Sequence, residues 1–195
     1  MLARSFRTIK PRFSNFQKRF VEEAADPPLG ESLWLQDIKR HNLLAISSQL
    51  GSKYLAETSQ PASFPVKGLI YSKKNGRRFV NLIVSFQSKR IVVPFVIDSG
   101  SPVITLSKET IEALCVDFLP SELYVDIHGY GNIPVTHDFA NEKLRDINIL
   151  GWRFFDETPV VEVIDKKNMS VTLYNNVDPE QINRFIEETG NKRRK

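Results

Sequence analysis

The sequence has few cysteines and histidines and no long apolar run, and each of these features marks a common class of protein. Cys115 is the single cysteine among 195 residues, which excludes an internal disulfide framework and a cysteine-rich zinc site. The longest apolar run, residues 91–97, is far shorter than the ~20 residues of a membrane helix. The three histidines, His41, His128 and His137, lack metal-ligand spacing. We therefore expect no bound metal and no transmembrane segment.

Two catalytic signatures are also missing from the sequence. No Gly-x-Ser-x-Gly elbow is present, so a serine hydrolase is unsupported. No glycine-rich phosphate loop precedes a helix, so neither a nucleotide nor another cofactor is expected. The formal net charge of +4 comes from the two ends of the chain. Because the remainder is net acidic, we expect no nucleic acid as a partner.

Residues 1–28 form a basic, amphipathic N-terminal segment. Its first 20 residues contain no acid, and its apolar residues recur at spacings of three and four, which places them on one side of a helix. The pattern is typical of a mitochondrial presequence, which would place the protein in mitochondria. The alternative is a basic tail that folds only on a membrane or a partner, in a cytoplasmic protein.

The rest of the chain divides into three parts by the pattern of its apolar and turn-forming residues. Residues 29–65 read as a helix over 31–55 followed by a linker rich in proline at 59–65. Residues 66–176 are dominated by strands, and residues 177–195 form a C-terminal helix and a basic tail. The predicted strands cover 66–71, 79–86, 91–97, 124–127, 133–135, 160–164 and 171–174, with a short helix beginning at Ser107 and an apolar stretch at 147–155.

An acid follows the most apolar of these strands. Asp98 ends the run from residue 91 and is followed by Ser99, Gly100 and Ser101. Glycine lets a ligand or another backbone approach closely, the serines can donate hydrogen bonds, and the apolar flanks exclude water. This pattern indicates a positioned acid in a setting of low dielectric constant, where its pKa can shift. The alternative is an ordinary turn, because Asp, Ser and Gly are common turn residues.

The Asp-Ser-Gly-Ser sequence resembles the catalytic signature of aspartic proteases. Downstream, the Ile-Leu-Gly element at residues 149–151 resembles the element that packs beside that loop in the family. A single signature in a chain of this size resembles the retropepsins, the retroviral-type aspartic proteases. The resemblance, over roughly residues 77–175, implies a mostly β fold: a closed antiparallel β-barrel of the retropepsin type with short flanking helices.

The resemblance also implies a homodimer. Hydrolysis by this chemistry needs two neighbouring carboxyls that share a proton, one to activate water and one to protonate the carbonyl oxygen. The chain has one such motif, so Asp98 of a second copy is expected to supply the other carboxyl. In the family, the residue matching Ser99 bonds across the two-fold axis, and the hydroxyl matching Ser101 reaches the catalytic carboxylate. That last bond would favour the charged carboxylate, so we expect an acidic pH optimum.

The family covers its cleft with a glycine-bearing hairpin, the flap. The candidate here surrounds Gly129 and Gly131, with Tyr130 at its tip. The alternating apolar residues Val125, Ile127 and Val135 favour a core hairpin instead, with no true flap. The residues that we expect around the substrate cleft are Phe95, Ile104, Tyr130, Ile149 and Trp152.

The sequence therefore predicts an aspartic endopeptidase that hydrolyses peptide bonds in peptide or protein substrates as a homodimer. Asp98 is the catalytic residue, and Ser99, Gly100 and Ser101 support its loop. The alternative is a catalytically weak or inactive domain of the same fold, used for dimerisation or peptide binding.

Overall fold

The structure is a computed structural model that describes residues 38, 40–71, 76–116, 120, 123–137 and 146–176. The predictions for residues 1–28, for the start of the first helix and for residues 177–195 lie outside these residues. In the part of the chain that is described, no helix is long and apolar enough to cross a membrane.

Eight strands and three short helices make up the described chain. The strands are β1 (Val66–Tyr71), β2 (Arg77–Phe86), β3 (Lys89–Asp98), β4 (Leu123–Ile127), β5 (Tyr130–Val135), β6 (Ile149–Gly151), β7 (Val160–Asp165) and β8 (Ser170–Asn175). The helices are α1 (Arg40–Gln49), α2 (Lys108–Ala113) and α3 (Trp152–Glu157).

All eight strands belong to one sheet, in the order β5-β4-β2-β1-β8-β7, with β3 pairing with both β2 and β6. The prediction of a mostly β, largely antiparallel fold with short helices is confirmed. The prediction of a closed barrel is wrong, because the described strands form an open sheet. Between β5 and β6, the chain at Thr105 makes only single-residue bridges, to Thr136 and to Ile149, and so adds no continuous ladder there.

The first helix ends earlier than predicted. Its C-terminus is set by Gly51, which has a φ of +78°, a conformation that glycine adopts without steric cost. The Ser52 N–H donates to Ser47 O and the Gly51 N–H donates to Ser48 O, both at 3.0 Å. This pair of bonds is a Schellman motif. It ends α1 at Gln49, whereas the apolar pattern had extended the helix to residue 55.

Apolar side chains pack on both faces of β3. Phe95 and Ile97 belong to the main core cluster, together with Leu82 of β2. Val96 points the other way, into a second cluster under α1 that also contains Ile46. Because both faces of β3 are buried from residue 93 to residue 97, this part of the strand is a continuous apolar run in the sequence. This packing fixes the strand that ends at Asp98.

Candidate active site

The candidate site lies at the end of β3. Asp98 is the last residue of the strand and is partly exposed, and Ser99 and Gly100 form an exposed turn after it. The Asp98 Oδ1 accepts a hydrogen bond from the Gly100 N–H at 3.0 Å. The Asp98 carbonyl oxygen accepts from the Ser101 N–H at 3.1 Å. The loop therefore holds both the backbone and the carboxylate of Asp98 in place.

The Ser101 hydroxyl differs from its expected role. It donates to the carbonyl oxygen of Val103 at 2.9 Å, whereas the family resemblance implied a bond to the carboxylate. The turn through Pro102 brings the Val103 carbonyl within reach of Ser101. In this chain the Ser101 hydroxyl therefore bonds within its own loop. The expectation of an acidic pH optimum rested on a bond from this hydroxyl to the carboxylate, and the structure does not contain that bond.

The Ile-Leu-Gly element packs beside the loop, as the sequence predicted. Strand β6 runs parallel to β3, with Val96 opposite Ile149 and Asp98 opposite Gly151. A Cβ on Gly151 would lie 2.1 Å from the Val103 carbonyl oxygen and 2.6 Å from that of Ser101. Only a glycine allows the loop to approach this closely.

Asn148 is a supporting residue that the sequence analysis missed. Its buried Oδ1 accepts from the Ser107 N–H and from the Thr110 hydroxyl, both at 2.8 Å. Its Nδ2 donates to the Pro94 carbonyl oxygen at 3.2 Å. Its amide therefore connects β3, β6 and the start of α2 with its hydrogen-bonding groups paired. The sequence signal for this role was a single amide side chain within the apolar stretch at 147–155.

The side chains expected around a cleft are not brought together. Phe95 and Ile104 are fully buried in the main core, and Ile149 is 4% exposed in the cluster under α1. Trp152, in contrast, is 47% exposed directly after Gly151. Of these residues, Trp152 thus presents a large apolar surface beside the Asp98 loop.

Tyr130 lies in a separate groove. Its hydroxyl donates to Asn175 Oδ1 at 2.6 Å, and its ring packs edge-on against Phe154 at 6.2 Å between centroids. The groove has a volume of about 490 Å³, and Phe64 and His128 also line it. Asp98 is not among its lining residues.

The hairpin around Tyr130 forms part of the sheet. Strands β4 and β5 pair with each other, and Ile127 of β4 pairs with Val84 of β2. Val125, Ile127 and Val135 are all buried in the main core. This arrangement agrees with the core-hairpin interpretation that the alternating pattern favoured. In the described residues between Asp98 and β6, no other hairpin is present.

The chain has a distant likeness to solved structures. No protein-family model and no curated protein matches the chain. Among solved structures, the chain is similar to a retropepsin-like aspartic protease from Rickettsia conorii, with 17% sequence identity and a TM-score of 0.41. The match covers 60% of this chain and 97% of that one.

Proposed function

We propose that the protein is an aspartic endopeptidase that works as a homodimer. The observation that carries the proposal is the placement of Asp98. Its strand is buried on both faces, its loop is packed against Gly151, and the turn at Ser99 and Gly100 remains exposed. A rigid, accessible carboxylate is what acid–base catalysis requires, and a structural turn alone needs none of the support from β6.

The chemistry requires a second carboxyl close to the first. One carboxylate accepts a proton from a water molecule, and the water oxygen bonds to the carbonyl carbon of the peptide. The other carboxyl donates its proton to the carbonyl oxygen. Transfer of a proton to the peptide nitrogen then allows the C–N bond to break. The sequence holds a single Asp-Ser-Gly, so a second copy supplies the partner acid across a two-fold axis.

The competing function is a domain that binds peptides or dimerises without catalysis. The observation in its favour is the hairpin of β4 and β5, which pairs within the sheet, so that the described residues between Asp98 and β6 hold no separate hairpin that could serve as a flap. An uncovered site excludes water less well and positions a substrate less firmly. The two functions make different predictions for a variant that keeps the shape of Asp98 and removes its charge.

The test is the Asp98→Asn variant, assayed against a peptide library with the wild type alongside. We expect cleavage to fall by at least about 100-fold, because the variant can no longer take part in proton transfer. Sedimentation should show an unchanged dimer. A statine-type transition-state mimic should inhibit the wild type.

The matched control is Asp156→Asn, which removes an exposed carboxylate from α3 and should leave cleavage unchanged. Equal cleavage by Asp98→Asn and the wild type would refute the catalytic role. A dimer that binds peptides but never cleaves them would support the competing function.

A further inference from the structure

Trp152 is a large apolar residue that is unusually exposed, and it follows the strand that packs beside the Asp98 loop. Its side chain is 47% exposed, whereas Leu150 just before the glycine is fully buried. In the described chain, only a few large apolar side chains are this exposed: Leu44, Tyr124, Trp152 and Ile164. Among these four residues, Trp152 directly follows Gly151, which pairs with Asp98, and is hydrogen-bonded through its backbone to Ser101 of the Asp98 loop.

The backbone of Trp152 is fixed relative to the loop. Its N–H donates to the Ser101 carbonyl oxygen at 2.9 Å. On one side, Gly151 lies opposite Asp98, and on the other, Phe154 of the same short helix is fully buried. The backbone that carries the indole is therefore fixed, and only the two side-chain torsions of Trp152 lose freedom when it is buried in a contact.

This position fits a contact with a second copy of the chain. The inference rests on the proposed function, in which two Asp98 carboxyls meet at a two-fold axis. Two Asp98 loops that approach each other also bring the two Trp152 residues close to the same interface, because the backbone of each is hydrogen-bonded to its loop. Such an interface uses the same patch from both copies, so each interaction occurs twice. Tryptophan is among the residues most enriched where interfaces hold most of their binding energy.

We propose that Trp152 anchors the self-association of the chain, and so holds the two halves of the active site together. The apolar indole supplies the contact, while the loop residues Ser99 and Gly100 remain small enough for the two carboxyls to approach. Without this anchor, each copy retains its fold and its Asp98 loop but lacks the second acid.

The experiment compares dimer dissociation constants by sedimentation for the full-length wild type, Trp152→Ala, Trp152→Lys, Trp152→Phe and Tyr124→Ala. We expect the alanine variant to raise the dissociation constant at least about 30-fold, which is typical of a residue that dominates an interface. The lysine variant should dissociate at least as readily, because it places like charges across the symmetric contact. The phenylalanine variant should retain most of the association.

Tyr124→Ala is the matched control, because it removes an aromatic side chain that is 55% exposed on β4. It should leave the dissociation constant unchanged. Circular dichroism and urea unfolding of diluted samples establish that each variant is folded. If the alanine variant does not fold, Trp152→Lys decides the result.

The outcomes separate this inference from the proposed function. If the wild type dimerises and cleaves peptides but Trp152→Ala and Trp152→Lys dissociate within threefold of it, the anchor is refuted and the protease function stands. If the Trp152 variants dissociate but wild-type dimers never cleave peptides, the anchor stands and the protease function is refuted. A wild type that stays monomeric at all concentrations overturns both.

Discussion

At the scale of single residues, the contact between Gly151 and the Asp98 loop is the tightest requirement at the site. The carbonyl oxygens of Ser101 and Val103 occupy the space that any Cβ at Gly151 would need. Both obstacles are backbone atoms, so they can move only if the loop moves. The position of the carboxylate therefore depends on a residue that carries no functional group.

We predict that Gly151→Ala displaces the loop and removes activity. The new Cβ would cost about 1–3 kcal/mol of unfolding free energy, as overpacking does in well-packed regions. Urea unfolding would measure this cost, and a peptide assay would show a larger proportional loss of cleavage. Gly131→Ala is the control, because its Cβ would meet only Asp126 Oδ2, at 4.0 Å. If the Gly151 variant were as stable and active as this control, the close approach would not matter.

At the scale of elements, the strands were predictable because their apolar residues alternate or run continuously. The place of Asp98 at the end of a strand was predictable because it directly follows one of these runs. The helix α3 was hidden inside the apolar stretch at 147–155, where periodicity cannot separate a strand from a helix. The open sheet could not be predicted either. It depends on how far the chain at Thr105 pairs with its neighbours, which no local pattern encodes.

The turn between β4 and β5 joins the sheet to the linker through His128. The Ile83 N–H donates to the ring Nδ1 at 3.3 Å, and the ring Nε2 lies 2.9 Å from the Ser63 carbonyl oxygen. These contacts fit the neutral ring, with its proton on Nε2. Burial lowers the pKa of His128 from its ordinary value of 6.5, and the charge of Arg90 adds to this, while the Ser63 bond and Asp126 oppose it.

We predict that His128 makes the protein less stable in mild acid. Below pH ~6.5 the unfolded chain binds a proton that the folded ring resists, so the unfolding free energy falls as the pH drops towards the lower folded pKa. Urea titrations between pH 7.5 and 5 would measure this. His128→Asn should have a shallower slope, and asparagine tolerates the φ of +55° at this turn. Equal slopes would exclude His128 as the source.

At the scale of the whole molecule, the Asp98 strand is held between two hydrophobic clusters. The main core supports it through Phe95 and Ile97, and the cluster under α1 supports it through Val96. Helix α1 contributes Leu43 and Ile46 to this second cluster, and both are almost completely buried. Helix α1 therefore supports one face of the strand that carries Asp98, the candidate catalytic residue.

We predict that weakening the packing of α1 against β3 reduces both the stability of the protein and its cleavage of peptides. Ile46→Ala removes a fully buried side chain and should cost about 2–5 kcal/mol of unfolding free energy, through lost burial and the cavity left behind. Leu44→Ala, on the same helix but 41% exposed, should cost less than about 0.5 kcal/mol. Because Val96 and Asp98 share one strand, peptide cleavage by folded Ile46→Ala should also fall below that of Leu44→Ala. If the stability falls but cleavage per folded molecule does not, then the main core and β6 position Asp98 without α1.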